Sequence, residues 1–357
     1  MNRRGYLDWL RGIAVLIMIE AHTLDAWTRV EDRGRAAYKW AIVLGGFGAP
    51  IFLFLAGIAL ALAGGSRLRK GRTDAEAAAL ARRRGWQIFG LAFLFRLQAW
   101  IVSGGSAQNT LLKVDILNIM GVSMLVAAVL WGLGRGRWSK MMLLGGAAAA
   151  GAMLTPIIRA SPLLDVLPDA LEWYLRPNPG RTTFTLFPWG SFLLAGAAAG
   201  LWLDATRTER EERRVIVGLA LIGPALAAAG YAASFLPPIY PVTSFWTSSP
   251  TFFFLRLGIL ITTIPIAYGW NRLFTGRSPL REFGIASLFV YWIHVEMVYG
   301  VLSAPIHRRL PFPQAVAAFA VFSLFLFALV KIKDRLSRPS WLVRRPSCRS
   351  SSRSAPG

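Results

Sequence analysis

The sequence predicts an all-α fold, a polytopic integral membrane bundle of about ten transmembrane helices with both termini cytoplasmic, and three observations predict it. The 357 residues are 55% hydrophobic and only 16% charged, with a mean hydropathy of +0.47, too apolar for a soluble domain of this size. Uncharged runs recur at 40–66, 116–134, 141–158, 182–203, 215–255 and 310–330, most of them long enough to cross about 30 Å of hydrocarbon. Basic residues alternate between loops: 27 of the 40 Lys and Arg fall on one set and ten on the other, which assigns the richer set to the cytoplasm and requires an even number of crossings.

Taken in order, the predicted helices are 8–27, 40–64, 86–103, 114–133, 141–158, 183–203, 215–235, 251–269, 283–303 and 313–330. The first opens with MNRRGYLDWLRGIAVLIMIEA, which has the charge order of a signal peptide. It has no convincing small-x-small cleavage site and carries Glu20 behind the apolar run, so it is expected to stay as an uncleaved helix. LPPIYP divides the long run at 215–255 into two spans around an exposed turn. The runs GGAAAAGA at 145–152 and AGAAAG at 195–200 predict close helix packing, and Pro188 and Trp189 mark a helix start near the outer interface. Three spans, 8–27, 86–103 and 283–303, are interrupted by charge, as expected of helices that face a polar cavity. Two regions result: a transmembrane domain at 1–331, and a basic, disordered cytoplasmic tail at 332–357 held near anionic lipid head groups.

Composition excludes several chemistries. The net charge of +22 is spread by loop rather than gathered on one face, so it speaks for topology and against nucleic acid. Three histidines and one cysteine, Cys348 in the tail, predict neither a metal cluster nor an intrachain disulfide. No GxxxxGK[ST] motif is present for ATP-driven transport.

The informative residues are the ionisable ones inside the apolar spans. Arg11 and His22 are eleven residues apart, about three turns and roughly 16 Å along one face of a helix. Counted from the predicted helix ends, Glu20, His22, Arg96, Arg256, His294 and Glu296 converge at similar depth, as side chains around a shared polar chamber would. Each has a structural alternative. Arg11 either serves the site or snorkels or pairs with Asp8; His22 is either a base or a neutral ring bonded to a neighbouring helix. Glu20 either serves the chamber or lies at the lipid interface, and Asp25 either orients His22 or lies at that interface. Arg96 and Arg256 are either substrate contacts or counter-ions for Glu20 and Glu296. His294 stands among Tyr291, Trp292 and Tyr299, in either a substrate wall or an aromatic belt, and His307 is expected to be solvated. A neutral imidazole, with an unperturbed pKa of about 6.5, can take the proton that makes a hydroxyl nucleophilic.

With LDWLRGIAVLIMIEAH and its Arg-x10-His spacing in hand, the chain resembles the transmembrane acyltransferase superfamily, in particular the acyltransferase-3 family and the heparan-α-glucosaminide N-acetyltransferase-like family. GAPIFLFLAGIALALA at 48–63, ARRRGWQIFGLAFLFR at 81–96, FPWGSFLLAG at 187–196 and ASLFVYWIHVEMVYG at 286–300 extend the likeness in the right order. The resemblance implies a membrane acyltransferase, and the 34 Arg against six Lys, which fit a GC-rich bacterial genome, make a bacterial inner membrane its expected location. It would move an acyl group, usually acetyl, from acyl-coenzyme A to a hydroxyl or amine of a sugar, envelope glycan or small-molecule acceptor. Acetyl-CoA is then a donor substrate, and no metal is called for. In the acyltransferase-3 pattern the Arg and His of the first helix are essential, which here implies Arg11 and His22; with Glu20 they are the expected catalytic residues, and the chamber's Arg96, Arg256, His294 and Glu296 are the expected substrate contacts. Apart from the resemblance, Arg82, Arg83 and Arg84, in the basic loop at 66–85, either attract the donor's phosphates electrostatically, which makes them the expected donor contacts, or are ordinary topology-setting charge. The chain departs from the heparan-type branch at two places: His22 stands where that branch carries Asn, and the following loop, TRVEDRGRAAYK, has no histidine. Two other classes fit the same residues: a proton-coupled transporter or flippase, in which Glu, His and Arg form a relay, and an assembly or sensor subunit without turnover.

Overall fold

The structure is a computed structural model and describes residues 4–102, 111–274 and 276–336. Thirteen α-helices account for most of the described residues: α1 Gly5–Trp27, α2 Ala36–Gly45, α3 Gly48–Leu68, α4 Asp74–Val102, α5 Ile116–Leu133, α6 Arg137–Ala160, α7 Asp169–Glu172, α8 Leu186–Asp204, α9 Glu209–Ala233, α10 Pro250–Leu273, α11 Pro279–Ile285, α12 Ser287–Tyr299 and α13 Phe312–Leu336. No strand forms among the described residues, only the isolated bridges Thr28–Leu310 and Val114–Thr182.

Seven segments are long and apolar enough to cross a membrane: Ala36–Leu68, which α2 and α3 share, and the helices α5, α6, α8, α9, α10 and α13. The three predicted spans outside that set are helical too, as α1, α4 and α11–α12, and they are the three that the sequence marks as interrupted by charge. Helix ends differ from expectation where capping outweighs hydropathy. Thr73 and Glu76 bond each other's backbone N–H groups, at 3.2 and 2.8 Å, and start α4 twelve residues before the apolar run. Thr208 and Glu211 form the same reciprocal cap on α9. At the other end of the chain α13 continues to Leu336, into the region expected to be tail; residues 337–357, with Cys348, lie outside the described residues.

One face gathers the ends of many helices through ion pairs: Arg4 with Glu212 at 2.6 Å, Arg69 with Asp204 at 2.6 Å, Lys140 with Asp74 at 2.6 Å, Arg272 with Glu209 at 2.5 Å, and Lys331 with Glu282. Both ends of the described chain lie there, and so do the basic loops that the sequence groups together. Helix α1 stands between two cores. On one side Leu10 and Ala14 join the main core with Phe54, Trp131, Phe192 and Leu193; on the other, Val15 and Ile19 pack with Phe283, Val290, Leu326 and Val330.

At the opposite face Asp32 knots the α1–α2 connection to the start of α13. Its carboxylate accepts the Phe312 N–H at 2.9 Å and pairs with Arg29 at 3.0 Å and Arg35 at 2.9 Å. That backbone donor first, and the two guanidiniums after it, hold the Asp32 carboxyl below the usual carboxylate range. A depressed folded value means that the stabilisation is complete above the unfolded pKa of about 3.9 and is lost as pH falls through the folded one. Asp32→Asn is therefore expected to lower the thermal midpoint in detergent at pH 7, with the gap to the parent closing below about pH 4. A gap unchanged at pH 3 would show that the charge is not what secures the knot.

Candidate active site

The break between α2 and α3, the stretch Gly45–Gly46–Phe47–Gly48, lays Gly45 against Ala21 and Gly48 against Met18 of α1, and its three glycines line a cavity of about 1780 Å³. Its wall draws on α1, α3, α4, the start of α5, and α11–α12. Along α4 the lining runs from Ala77 to Ala99, about 33 Å of helix axis, comparable to the hydrocarbon thickness of a bilayer at about 30 Å. Arg83 and Arg84 stand at the end nearer the ion-paired face; Asp25, Thr183 and His307 stand at the other. Small-molecule sites usually enclose about 300–1,000 Å³, so this space accommodates more than one substrate.

Four of the expected residues share the cavity with Arg83 and Arg84 of α4: Arg11, His22, Arg96 and Glu296 all line it. Arg11 and His22 line the same wall, as their eleven-residue spacing requires. Arg11 also reaches Asp8 at 3.4 Å. His22 is half-buried, and its Nδ1 lies 2.9 Å from Nε2 of His294, the two rings meeting edge to edge through these nitrogens with 5.1 Å between centroids and 9° between planes. Arg96 pairs with Asp115 at 2.9 Å, not with Glu20 or Glu296 as the counter-ion reading had it.

The other four lie elsewhere. His294 does not reach the cavity: it is fully buried behind His22, with its Nδ1 2.8 Å from the Val290 carbonyl oxygen. Glu20 is buried on the side of α1 that faces Gly45, and its Oε2 has no hydrogen-bond partner among the described residues. Arg256 lies against Gly46 and spreads its guanidinium over the rings of Phe252, Phe47 and Trp189, 4.1, 5.7 and 5.8 Å from their centroids. Arg82 is absent from the lining because the basic run is helical rather than a loop, and three successive residues point about 100° apart.

Sequence reasoning missed Lys113 and Asp115 in the lining; Tyr291 and Tyr299, left open between a substrate wall and an aromatic belt, both line the cavity, and His307, expected to be solvated, is exposed at its far end. Asp115 caps α5, accepting from Leu117 N–H at 3.0 Å, and the D-x-x-N spacing to Asn118 signals that cap without hinting at a site. Asp25 does not hold His22; it pairs with Arg33 at 3.6 Å and accepts from Tyr299 Oη at 3.4 Å.

No cluster of three metal-ligating side chains occurs among the described residues. A comparison with curated proteins finds no match. Residues 3–233 match the family model described as heparan-alpha-glucosaminide N-acetyltransferase, catalytic, which takes in α1 to α9 and with them Arg11, His22, Arg83, Arg84 and Arg96. Because that match covers well over half of the 357 residues, the chain belongs to the heparan-alpha-glucosaminide N-acetyltransferase catalytic family and is an integral membrane acyltransferase.

Proposed function

We propose that the protein transfers an acyl group, acetyl in the first instance, from acyl-coenzyme A to a hydroxyl or amine of a sugar or other cell-envelope acceptor. The observation that carries this reading is the place of His22, on the wall of one cavity whose lining runs about 33 Å along α4, with Arg83 and Arg84 toward one end and the exposed His307 at the other. In this reading the ion-paired, Arg-rich face is cytoplasmic, α1, α4 and α11–α12 cross the bilayer with the seven apolar segments to make ten spans, and the membrane is a bacterial inner membrane.

Arg83 and Arg84 attract the phosphates of the donor at the basic end, and Arg11 guides its arm toward His22. Arg11 is about 16 Å from His22 along the helix, so it serves the donor's arm rather than the reacting carbonyl. The acceptor comes from the far end, past Asp25 and His307, where Arg96 and Glu296 offer a donor and an acceptor to its hydroxyls. The Nε2 of His22, the ring nitrogen that His294 does not engage, removes the proton as the acceptor oxygen or nitrogen bonds to the thioester carbon. The C–S bond then breaks, the thiolate takes that proton from His22, and acyl acceptor and free coenzyme A leave.

Two measurements test the reading. Purified protein in detergent, given labelled acetyl-CoA and a panel of amino and hydroxy sugars, is expected to release free thiol and acetylate the sugar with no gradient present. Movement of intact sugar across proteoliposomes without acetylation would support the transporter instead. The double variant Arg83→Glu with Arg84→Glu is expected to raise KM for acetyl-CoA about tenfold or more, roughly 1.4 kcal/mol or above, with kcat little changed. An unaltered KM would remove the basic end from donor binding.

A further inference from the structure

The residue behind His22 has chemistry of its own. His294 is fully buried, outside the cavity, and contributed by α12, beyond the matched residues 3–233. Val290 O accepts hydrogen bonds only, so the contact at 2.8 Å requires a proton on Nδ1 of His294. In a neutral ring that leaves Nε2 of His294 as a lone pair, and the 2.9 Å contact to His22 then requires the proton of His22 to sit on its Nδ1. The Nε2 of His22 is left unprotonated. A carbonyl on α12 thus dictates, through two rings, which nitrogen of α1 is the base.

We propose that His294 is a positioning residue that holds His22 in the Nδ1–H tautomer and shares the proton His22 acquires during acyl transfer. This rests on the reading of His22 as the base. When Nε2 of His22 takes the acceptor's proton, its Nδ1–H points at the lone pair of His294; shifting that proton across moves the positive charge onto His294, whose own Nδ1–H remains on Val290 O. The proton returns by the reverse path when His22 protonates the departing thiolate, so no other donor or acceptor is needed. Asp25, the carboxylate three residues further along α1, is engaged by Arg33 and Tyr299 instead.

Two substitutions separate this role from packing. His294→Phe keeps a planar ring in the core and deletes both nitrogens. His294→Gln gives up the ring and can set an amide oxygen where Nε2 stands, to accept from His22. The expected result is a fall in kcat of about 10² or more for His294→Phe, with KM for acetyl-CoA within about twofold of the parent, and recovery of at least about tenfold in kcat for His294→Gln. Nitrogen-15 spectra of histidine-labelled protein should show His22 as the Nδ1–H tautomer in the parent and as a mixture in His294→Phe. A purely structural residue predicts the opposite order, with the aromatic variant the more active. That order, or an unchanged His22 tautomer in His294→Phe, would overturn the proposal; should His294→Phe fail to fold, a His294→Gln protein no more active than folded His294→Ala would overturn it equally. If His22→Ala keeps its activity, the base assignment itself fails; if only the His294 variants behave like the parent, the base survives and its positioning partner does not.

Discussion

Replacing His22 by alanine is expected to lower kcat for acetyl transfer by about 10²–10⁴, the usual contribution of a general acid–base, without impairing membrane insertion. The ring is half-buried on a cavity wall and, among the described residues, makes one side-chain hydrogen bond, to His294. Its loss opens no cavity in the packed interior and leaves one imidazole nitrogen unpartnered, at a cost of about 1–3 kcal/mol. Elution as a single species in size-exclusion chromatography, with the thermal midpoint within several degrees of the parent, would show that the fold persists. The magnitude also distinguishes two routes. If acceptor attacks the thioester directly, the parent protein given labelled acetyl-CoA alone releases no thiol; if His22 accepts the acyl group first, it releases about one equivalent and carries the label. His22→Ala abolishes the burst in the second case. Parental turnover by His22→Ala would remove the base from the mechanism, and with it the reason for assigning the cavity to acyl transfer.

What the sequence shows of this site depends on which coordinate is asked for. Position along an axis is legible: eleven residues return to one face, and Arg11 and His22 do line one cavity. Direction around an axis is harder to read. Glu20 has the same depth as His22, yet two residues are about 200° of helix, and Glu20 faces the Gly45 side of α1 while His22 faces α12. Depth alone also grouped Arg256 with the others, although its guanidinium rests on aromatic faces across the α2–α3 break. The basic run at 82–84 is plain in the sequence, but whether it is loop or helix turns on a Thr–Glu cap nearly ten residues earlier, and only the helix excludes Arg82 from the lining. Nothing local in WIHVEM shows that His294 meets His22. That contact spans 272 residues and exists because α11 crosses α1 backbone to backbone, the Leu280 carbonyl lying where a Cβ on Gly12 would be.

Close helix crossings of that kind carry the largest expected effect on folding. The Gly57 position in α3 would place a Cβ 2.0 Å from the Leu193 carbonyl oxygen of α8, and Gly196 of α8 would place one 2.0 Å from the Phe54 carbonyl oxygen of α3. Neither neighbour is the end of a flexible side chain; both are helix backbone, so the helices themselves must move apart. Overpacking a core by a few methylenes already costs about 1–3 kcal/mol, and Gly57→Leu inserts four carbons where not even one fits. Folded protein is expected to be lost from detergent extracts, with Gly196→Leu behaving alike. A Cβ on Gly146 of α6 would meet no atom of the described residues within 4 Å, so Gly146→Leu, the same change in a run of the same composition, should extract and melt like the parent. Intermediate damage is expected for Gly57→Ala: α3 carries Ala56, Ala59 and Ala63 on the cavity wall, and pushing it off α8 moves that wall toward His22, so substrate KM should rise before the fold fails. Equal tolerance of leucine at 57 and 146 would mean that α3 and α8 are not in backbone contact, and that the wall facing His22 is placed by something other than this crossing.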